Sequence, residues 1–167
     1  MKRYNRKGFT LIEMMTTIVI VGIIASMAVP RFMIAYERME FRSANKEITS
    51  SLRLARSLAI SNKEIYGVNF DPQSLSILIF KKDTASTAFS TYEVADSLVR
   101  TDSFSNIFST INTDFVGNTI SFRPNGSAIY TGGGNIVSMT NTDEMVGIAQ
   151  INILASTGRI KSQSYSY

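Results

Sequence analysis

At 167 residues, with 44% apolar and 18% charged side chains, the chain has room for one domain of ordinary size plus one extra apolar segment. It contains no cysteine and no histidine, which excludes a disulfide framework, Ser-His-Asp and Cys-His catalysis and histidine-based zinc sites. The net charge of +4 does not mark a nucleic-acid binder, because Lys2, Arg3, Arg6 and Lys7 account for all of it and leave 13 basic and 13 acidic side chains beyond them. The remaining carboxylates form no pair at a useful spacing, so neither enzymatic chemistry nor a cofactor or metal is expected.

The basic run stops at Gly8 and gives way to Phe9-Thr10-Leu11-Ile12-Glu13, followed by sequence without further charge until Arg31. As a helix, Phe9 to Val29 would extend about 32 Å, enough to cross a hydrocarbon core of roughly 30 Å. Glu13 stands against this pattern, since an ionised carboxylate in a spanning helix costs on the order of 2.5–3.5 kcal/mol and persists where a cation neutralises it. No Lys, Arg or His lies within the segment. A cut after Gly8 would create an amine on Phe9 one helical turn from Glu13, and the same amine in a neighbouring copy could reach it during lateral packing. Alternatively, the segment is an ordinary signal anchor with Glu13 in the headgroup region, and geometry alone does not separate the two. A conventional signal peptide cut at Ser26-Met27-Ala28 fits less well, given the length of the apolar stretch, the charge inside it and Pro30 just behind the cut.

Pro30 predicts a kink, because it removes a backbone donor and crowds the Ser26 carbonyl. Gly22 and Ser26, four apart, permit close helix approach but equally fit a flexible membrane helix. Beyond Pro30 the helical period continues through Phe41, Ala44, Ile48, Leu52, Ala55 and Ala59, one apolar stripe among polar positions. Arg31 to Glu64 holds seven basic and four acidic residues, whereas Asp71 to Glu144 holds four basic and eight acidic. Such asymmetry suits either helix-to-domain stacking of subunits or a solvated basic face.

After Asn62 the pattern becomes short β-type runs. Ile65 to Phe70 and Leu75 to Phe80 predict a hairpin about Asp71-Pro72. Further strands are expected at Tyr92 to Val99, Phe104 to Ile111, Thr119 to Arg123, Ser127 to Tyr130, Ile136 to Thr140, Val146 to Leu154 and Arg159 to Lys161. Asn125-Gly126 and Thr157-Gly158 supply tight turns. The low-complexity patch Asp83 to Thr91 and the triplet Gly132-Gly133-Gly134 are expected as exposed loops, the triplet as a flexible turn rather than a phosphate cradle. Phe70, Ile79, Phe122 and Ile153 are expected in the core. The architecture is α+β: a long N-terminal helix, transmembrane in its first half and amphipathic in its second, packed on a C-terminal antiparallel β-sheet domain.

Lys7-Gly8-Phe9-Thr10-Leu11-Ile12-Glu13, after a short basic leader and before an apolar helix with Pro30 at its end, resembles the class III signal of type IV pilins and pseudopilins. Leu52 to Ile60, Phe122-Arg123-Pro124-Asn125-Gly126 and Ser156-Thr157-Gly158-Arg159-Ile160 extend the resemblance to the GspH/FimT minor-pilin family. The resemblance implies cleavage by a prepilin peptidase between Gly8 and Phe9, N-methylation of Phe9, and pairing of Glu13 with the amino terminus of an adjacent subunit. It further implies assembly through the helix that carries Leu11, Ile12, Gly22 and Pro30. The implied organisation is a leader over 1–8, an assembly helix in inner-membrane lipid over 9–30, an amphipathic helix over 31–63 and a β-rich domain over 64–167, outside the inner membrane. Its implied partners are the peptidase and other major and minor pilins or pseudopilins, in a pilus or type II secretion pseudopilus that this subunit helps to initiate or cap.

Some FimT-like members are implicated in DNA uptake. Arg159 and Lys161, which alternate along the closing strand with Gln163, Tyr165 and Tyr167, are the corresponding candidates for DNA contact; a polar edge strand guarded by cations is the plainer meaning. An adhesive tip subunit is a further alternative.

Overall fold

The computed structural model describes residues 8–83, 89–141 and 146–165. Lys2, Arg3, Arg6 and Lys7, the middle of the Asp83 to Thr91 patch, and Tyr167 lie outside the described residues.

One helix, α1, spans Leu11–Asn62 and includes Pro30. The chain divides into two compact units, one ending at Tyr36 and one beginning at Glu37. In the first, the apolar side chains from Phe9 to Met33 are exposed all round the helix, with no stripe set aside for a core. A helix of that composition is stable only where its surroundings are themselves apolar.

In the second unit, Phe41, Ala44, Ile48, Leu52, Ala55 and Ala59 are all buried, as their spacing requires of a helix laid on a core. α1 ends where Lys63 adopts a left-handed conformation, φ 59°, and the Asn62 amide donates to the Tyr66 hydroxyl at 2.7 Å. Nine strands follow among the described residues: β1 (Tyr66–Asp71), β2 (Ser76–Lys81), β3 (Ser97–Ser103), β4 (Thr110–Thr113), β5 (Thr119–Phe122), β6 (Ala128–Ile129), β7 (Ile136–Thr140), β8 (Ile148–Leu154) and β9 (Arg159–Tyr165). They make two antiparallel sheets rather than one, ordered β3-β2-β1-β5-β6 and β4-β7-β8-β9. Both sheets and the α1 stripe share one core, which holds Phe70, Ile79, Phe122 and Ile153.

The β1–β2 hairpin forms where Asp71-Pro72 predicts it. The Asp71 carboxylate accepts from the Ser74 hydroxyl at 2.6 Å and the Gln73 amide at 2.9 Å. Those donors, the Ser74 hydroxyl foremost, hold its pKa below the ordinary carboxylate range. Gly67 faces Phe80 across the ladder, and a Cβ there would overlap the Phe80 ring.

Two predicted strands are displaced. Tyr92 to Asp96 is not extended, because the Asp96 carboxylate accepts from the Glu93 amide at 2.8 Å and the Asp83 amide at 3.0 Å, folding the segment into a turn before β3. Lys82, its side chain 1% exposed, donates to Asp96 at 3.1 Å and to the Thr91 carbonyl at 2.9 Å. This buried pair is held in place by its extra hydrogen bonds, and the Glu93 carboxylate, 3.5 Å from the ammonium, adds a second counter-charge. Phe104 to Phe108 is also a turn: the Ile107 and Phe108 amides both donate to the Phe104 carbonyl, and β4 starts only at Thr110. Spacing by four puts Phe104 and Phe108 on one side of that turn, their rings 5.7 Å apart, with Phe41 edge-on to Phe108 at 5.2 Å.

The glycine triplet is an exposed loop at Gly132 and Gly133, but its outer two glycines lie close to neighbouring backbone or side chain. Gly132 has φ 128°, and a Cβ on Gly134 would overlap the Asp114 side chain, so close approach explains these two, whereas Gly133 has open space around it. Likewise the end of the low-complexity patch is tied down: the Phe89 carbonyl accepts from the Ser121 hydroxyl at 2.6 Å, and the Ser90 and Thr131 hydroxyls lie 2.9 Å apart.

Candidate assembly site and arginine clamp

Thr10 begins the helix. Its hydroxyl accepts from the Glu13 amide at 3.3 Å and its carbonyl accepts from the Met14 amide at 3.2 Å. This is an N-cap, with the acid at the third helical position placing negative charge where the helix dipole favours it. The Thr10-x-x-Glu13 pattern signals such a start, a feature the reading of Glu13 as a buried charge overlooked.

Five polar side chains fall between Phe9 and Val29: Thr10, Glu13, Thr16, Thr17 and Ser26. Four of them bond to the helix's own backbone. Thr16 donates to the Ile12 carbonyl at 2.7 Å, Thr17 to Met14 at 2.9 Å and Ser26 to Ile23 at 2.8 Å, while Thr10 accepts as above. Such local bonds let hydroxyls enter an apolar medium without stranded donors. The Glu13 carboxylate alone has no side-chain partner among the described residues. Gly8, Phe9, Leu11, Ile12, Gly22 and Pro30 are exposed, and a Cβ on Gly22 would meet no atom within 4 Å.

Toward the C-terminal end of α1, Arg56 joins two hairpin turns. Its Nε donates to the Gly126 carbonyl at 3.0 Å and its Nη2 to the Thr157 carbonyl at 2.9 Å. Gly126, φ 81°, lies in the five-residue loop between β5 and β6, where the Arg123 amide donates to the Ser127 carbonyl at 2.9 Å. Gly158, φ 61°, closes the β8–β9 turn, its amide donating to Leu154 at 2.7 Å. The two turns touch, since a Cβ on Gly158 would overlap the Gly126 carbonyl oxygen and come within 2.9 Å of Arg56 Nε. The three sequence segments that carry the minor-pilin resemblance thus meet at one structural joint.

Along β9, Arg159 and Lys161 are exposed on one face, while Ile160 is buried and Ser162 accepts from Asn45 of α1 at 2.9 Å. Tyr165, exposed, donates its hydroxyl to Gln163 at 2.8 Å.

A basic leader junction and an apolar helix leading into this joined helix-and-sheet domain define a type IV pilin-like chain. Residues 3–29 match the prokaryotic N-terminal methylation motif, and residues 44–155 match the type II transport protein GspH. The chain therefore belongs to the GspH family, whose members are structural subunits rather than enzymes. Its fold is similar to that of the type IV minor pilin FimU of Pseudomonas aeruginosa, with TM-score 0.55 and 18% identity over 76% of this chain and 90% of that one. It is also similar to the minor pseudopilin EpsH from the type 2 secretion system of Vibrio cholerae, with TM-score 0.51 and 10% identity over 74% and 95%. A fimbrial protein of P. aeruginosa is 37% identical over 60 residues, which amount to 36% of this chain and 39% of the relative. The match thus spans well under half the length of that relative.

Proposed function

We propose that this chain is a minor pilin or type II secretion pseudopilin, exported through the inner membrane and cut after Gly8 by a prepilin peptidase, with Phe9 then N-methylated. Phe9 to Val29 anchors the subunit and joins a bundle of like helices; the β-rich domain stands outside the membrane. One observation carries the reading. In a helix whose hydroxyl groups are all satisfied internally, Glu13 keeps a carboxylate that has no partner among the described residues, one turn from the position where cleavage would create an ammonium group. Leu11, Ile12, Gly22 and the Pro30 region supply the apolar surface of packing, and Glu13 sets its axial register by seeking the amino terminus of a neighbouring subunit. Initiation or capping of the fibre is the role that the resemblance to minor subunits favours.

DNA uptake is less well supported, because its two candidate cations, Arg159 and Lys161, make a small electrostatic footprint. An adhesive role has no comparable feature to rest on.

Co-expression with a prepilin peptidase tests the processing step. The wild-type chain is expected to lose Met1 to Gly8, whereas Gly8→Val should accumulate uncut in membranes because a branched side chain obstructs a subsite that takes glycine. Equal cleavage of both chains would contradict the proposal.

A further inference from the structure

Strand β9 lies at the end of its sheet, so one backbone edge of Arg159–Tyr165 has no strand partner among the described residues and presents open N–H and C=O groups. Next to it runs the flank of α1. Arg42, Lys46, Ser50 and Arg53 from the helix, with Ser162 and Ser164 from β9, line a cavity of about 530 Å³. Arg53 also lines an adjoining cavity of about 400 Å³, together with Arg56 and Arg159. Among the described residues, no acidic or aromatic side chain lines either cavity. Among the described residues, the side chains of Lys46, Arg53, Arg159 and Lys161 have no hydrogen-bond or ion-pair partner.

The dimensions fit an extended peptide. From Arg42 to Arg53 the helix rises about 16.5 Å, the length of five strand residues at about 3.3 Å each. Alternation along β9 turns Ser162 toward α1 and Arg159 and Lys161 to the opposite face. A strand added at this edge would therefore meet Lys46 and Arg53 with one set of side chains and Arg159 and Lys161 with the other.

We infer that the groove between α1 and β9 docks an extended acidic segment of a partner protein, which pairs its backbone with the free edge of β9 and sets carboxylates against Lys46, Arg53, Arg159 and Lys161. Two observations favour protein over nucleic acid. A strand edge offers peptide-type hydrogen bonds that a phosphodiester backbone cannot return, and among the described residues no aromatic ring on which a base would stack lines the groove.

The test uses the full-length chain in non-ionic detergent micelles and a fluorescein-labelled octapeptide in which glutamate alternates with threonine and valine. Fluorescence anisotropy should show saturable binding that weakens about tenfold or more in the double variant Lys46→Gln/Arg53→Gln. Methylating alternate amide nitrogens of the peptide, which leaves its charge and the protein unchanged, should abolish binding when the methylated edge is the one that faces β9. Hydrogen exchange across Arg159–Tyr165 should slow in the presence of the unmodified peptide. No binding of the peptide would overturn the inference. So would equal binding of peptides methylated on either edge, which would reduce the effect to charge attraction, or tighter binding of an oligothymidylate, which would make the groove a nucleic-acid site.

Discussion

Gly158→Val is expected to lower the unfolding free energy by on the order of 4 kcal/mol. Part of the loss is backbone strain, because a β-branched residue held at φ 61° costs about 1–3 kcal/mol. The rest follows from contact: any Cβ at this position overlaps the Gly126 carbonyl, so the β8–β9 turn must move away from the β5–β6 turn. Moving it breaks at least one of the two Arg56 hydrogen bonds, each of which, with a charged donor, is worth about 1.5–3 kcal/mol. Because the overlap arises at Cβ, Gly158→Ala should be nearly as damaging. Gly133→Ala, where a Cβ meets nothing within 4 Å, should change little. Thermal unfolding of the full chain in detergent, followed by circular dichroism, should show a drop of about 10 °C or more for both Gly158 variants. A midpoint within a degree or two of wild type would mean that the glycine is not what joins the hairpins.

The second large effect is on assembly. Glu13→Ala removes a carboxylate that opposes membrane insertion by on the order of 2.5–3.5 kcal/mol, so the variant should reach the membrane at least as well as wild type. Incorporation into fibres should nevertheless fall. A charge-assisted contact worth about 1.5–3 kcal/mol corresponds to roughly a tenfold to hundredfold loss of association at each subunit junction. Thr10→Ala separates this effect from helix capping: it removes the hydroxyl that accepts from the Glu13 amide, at about 1 kcal/mol, while leaving the carboxylate in place. The account requires the Glu13 variant to be the more impaired of the two, as measured by the ratio of sheared-fibre to membrane-bound subunit. Undiminished incorporation of Glu13→Ala would remove the proposed role of this residue.

The parts of the fold that could be read in the sequence are those whose signal is local and periodic. The stripe from Phe41 to Ala59 is legible because a helix on a core must repeat its apolar positions every three or four residues, and every residue of that stripe is buried. The β1–β2 hairpin is legible because Asp71 and Pro72 build their turn from adjacent residues. Elsewhere the decisive contacts are long-range or take a different period. Asp96 curls its segment through Lys82 and Asp83, on the far side of a loop, and nothing about Tyr92 to Val99 taken alone announces that. Phe104 and Phe108 follow a spacing of four, which in so short a run is not distinguishable from a strand pattern.

The arginine joint was hidden for a related reason. Arg56 reaches acceptors 70 and 101 residues away, and both are backbone carbonyls, which leave no mark on residue identity. Only the glycines reveal it, since Gly126 and Gly158 are required both by their positive φ and by each other's proximity. The Thr10 cap, by contrast, was available in the sequence as Thr-x-x-Glu; attention to the carboxylate as a buried charge obscured its place in the first helical turn.

The central claim is that Glu13 is retained to meet an amino terminus that exists only after the leader is removed. Intact-mass measurement of the subunit recovered from fibres of its native host tests this most directly. The expected mass corresponds to a chain that begins at Phe9 and carries one methyl group on its amino terminus. A fibre subunit that still carries Met1 to Gly8, or one that begins at Val29, would contradict it.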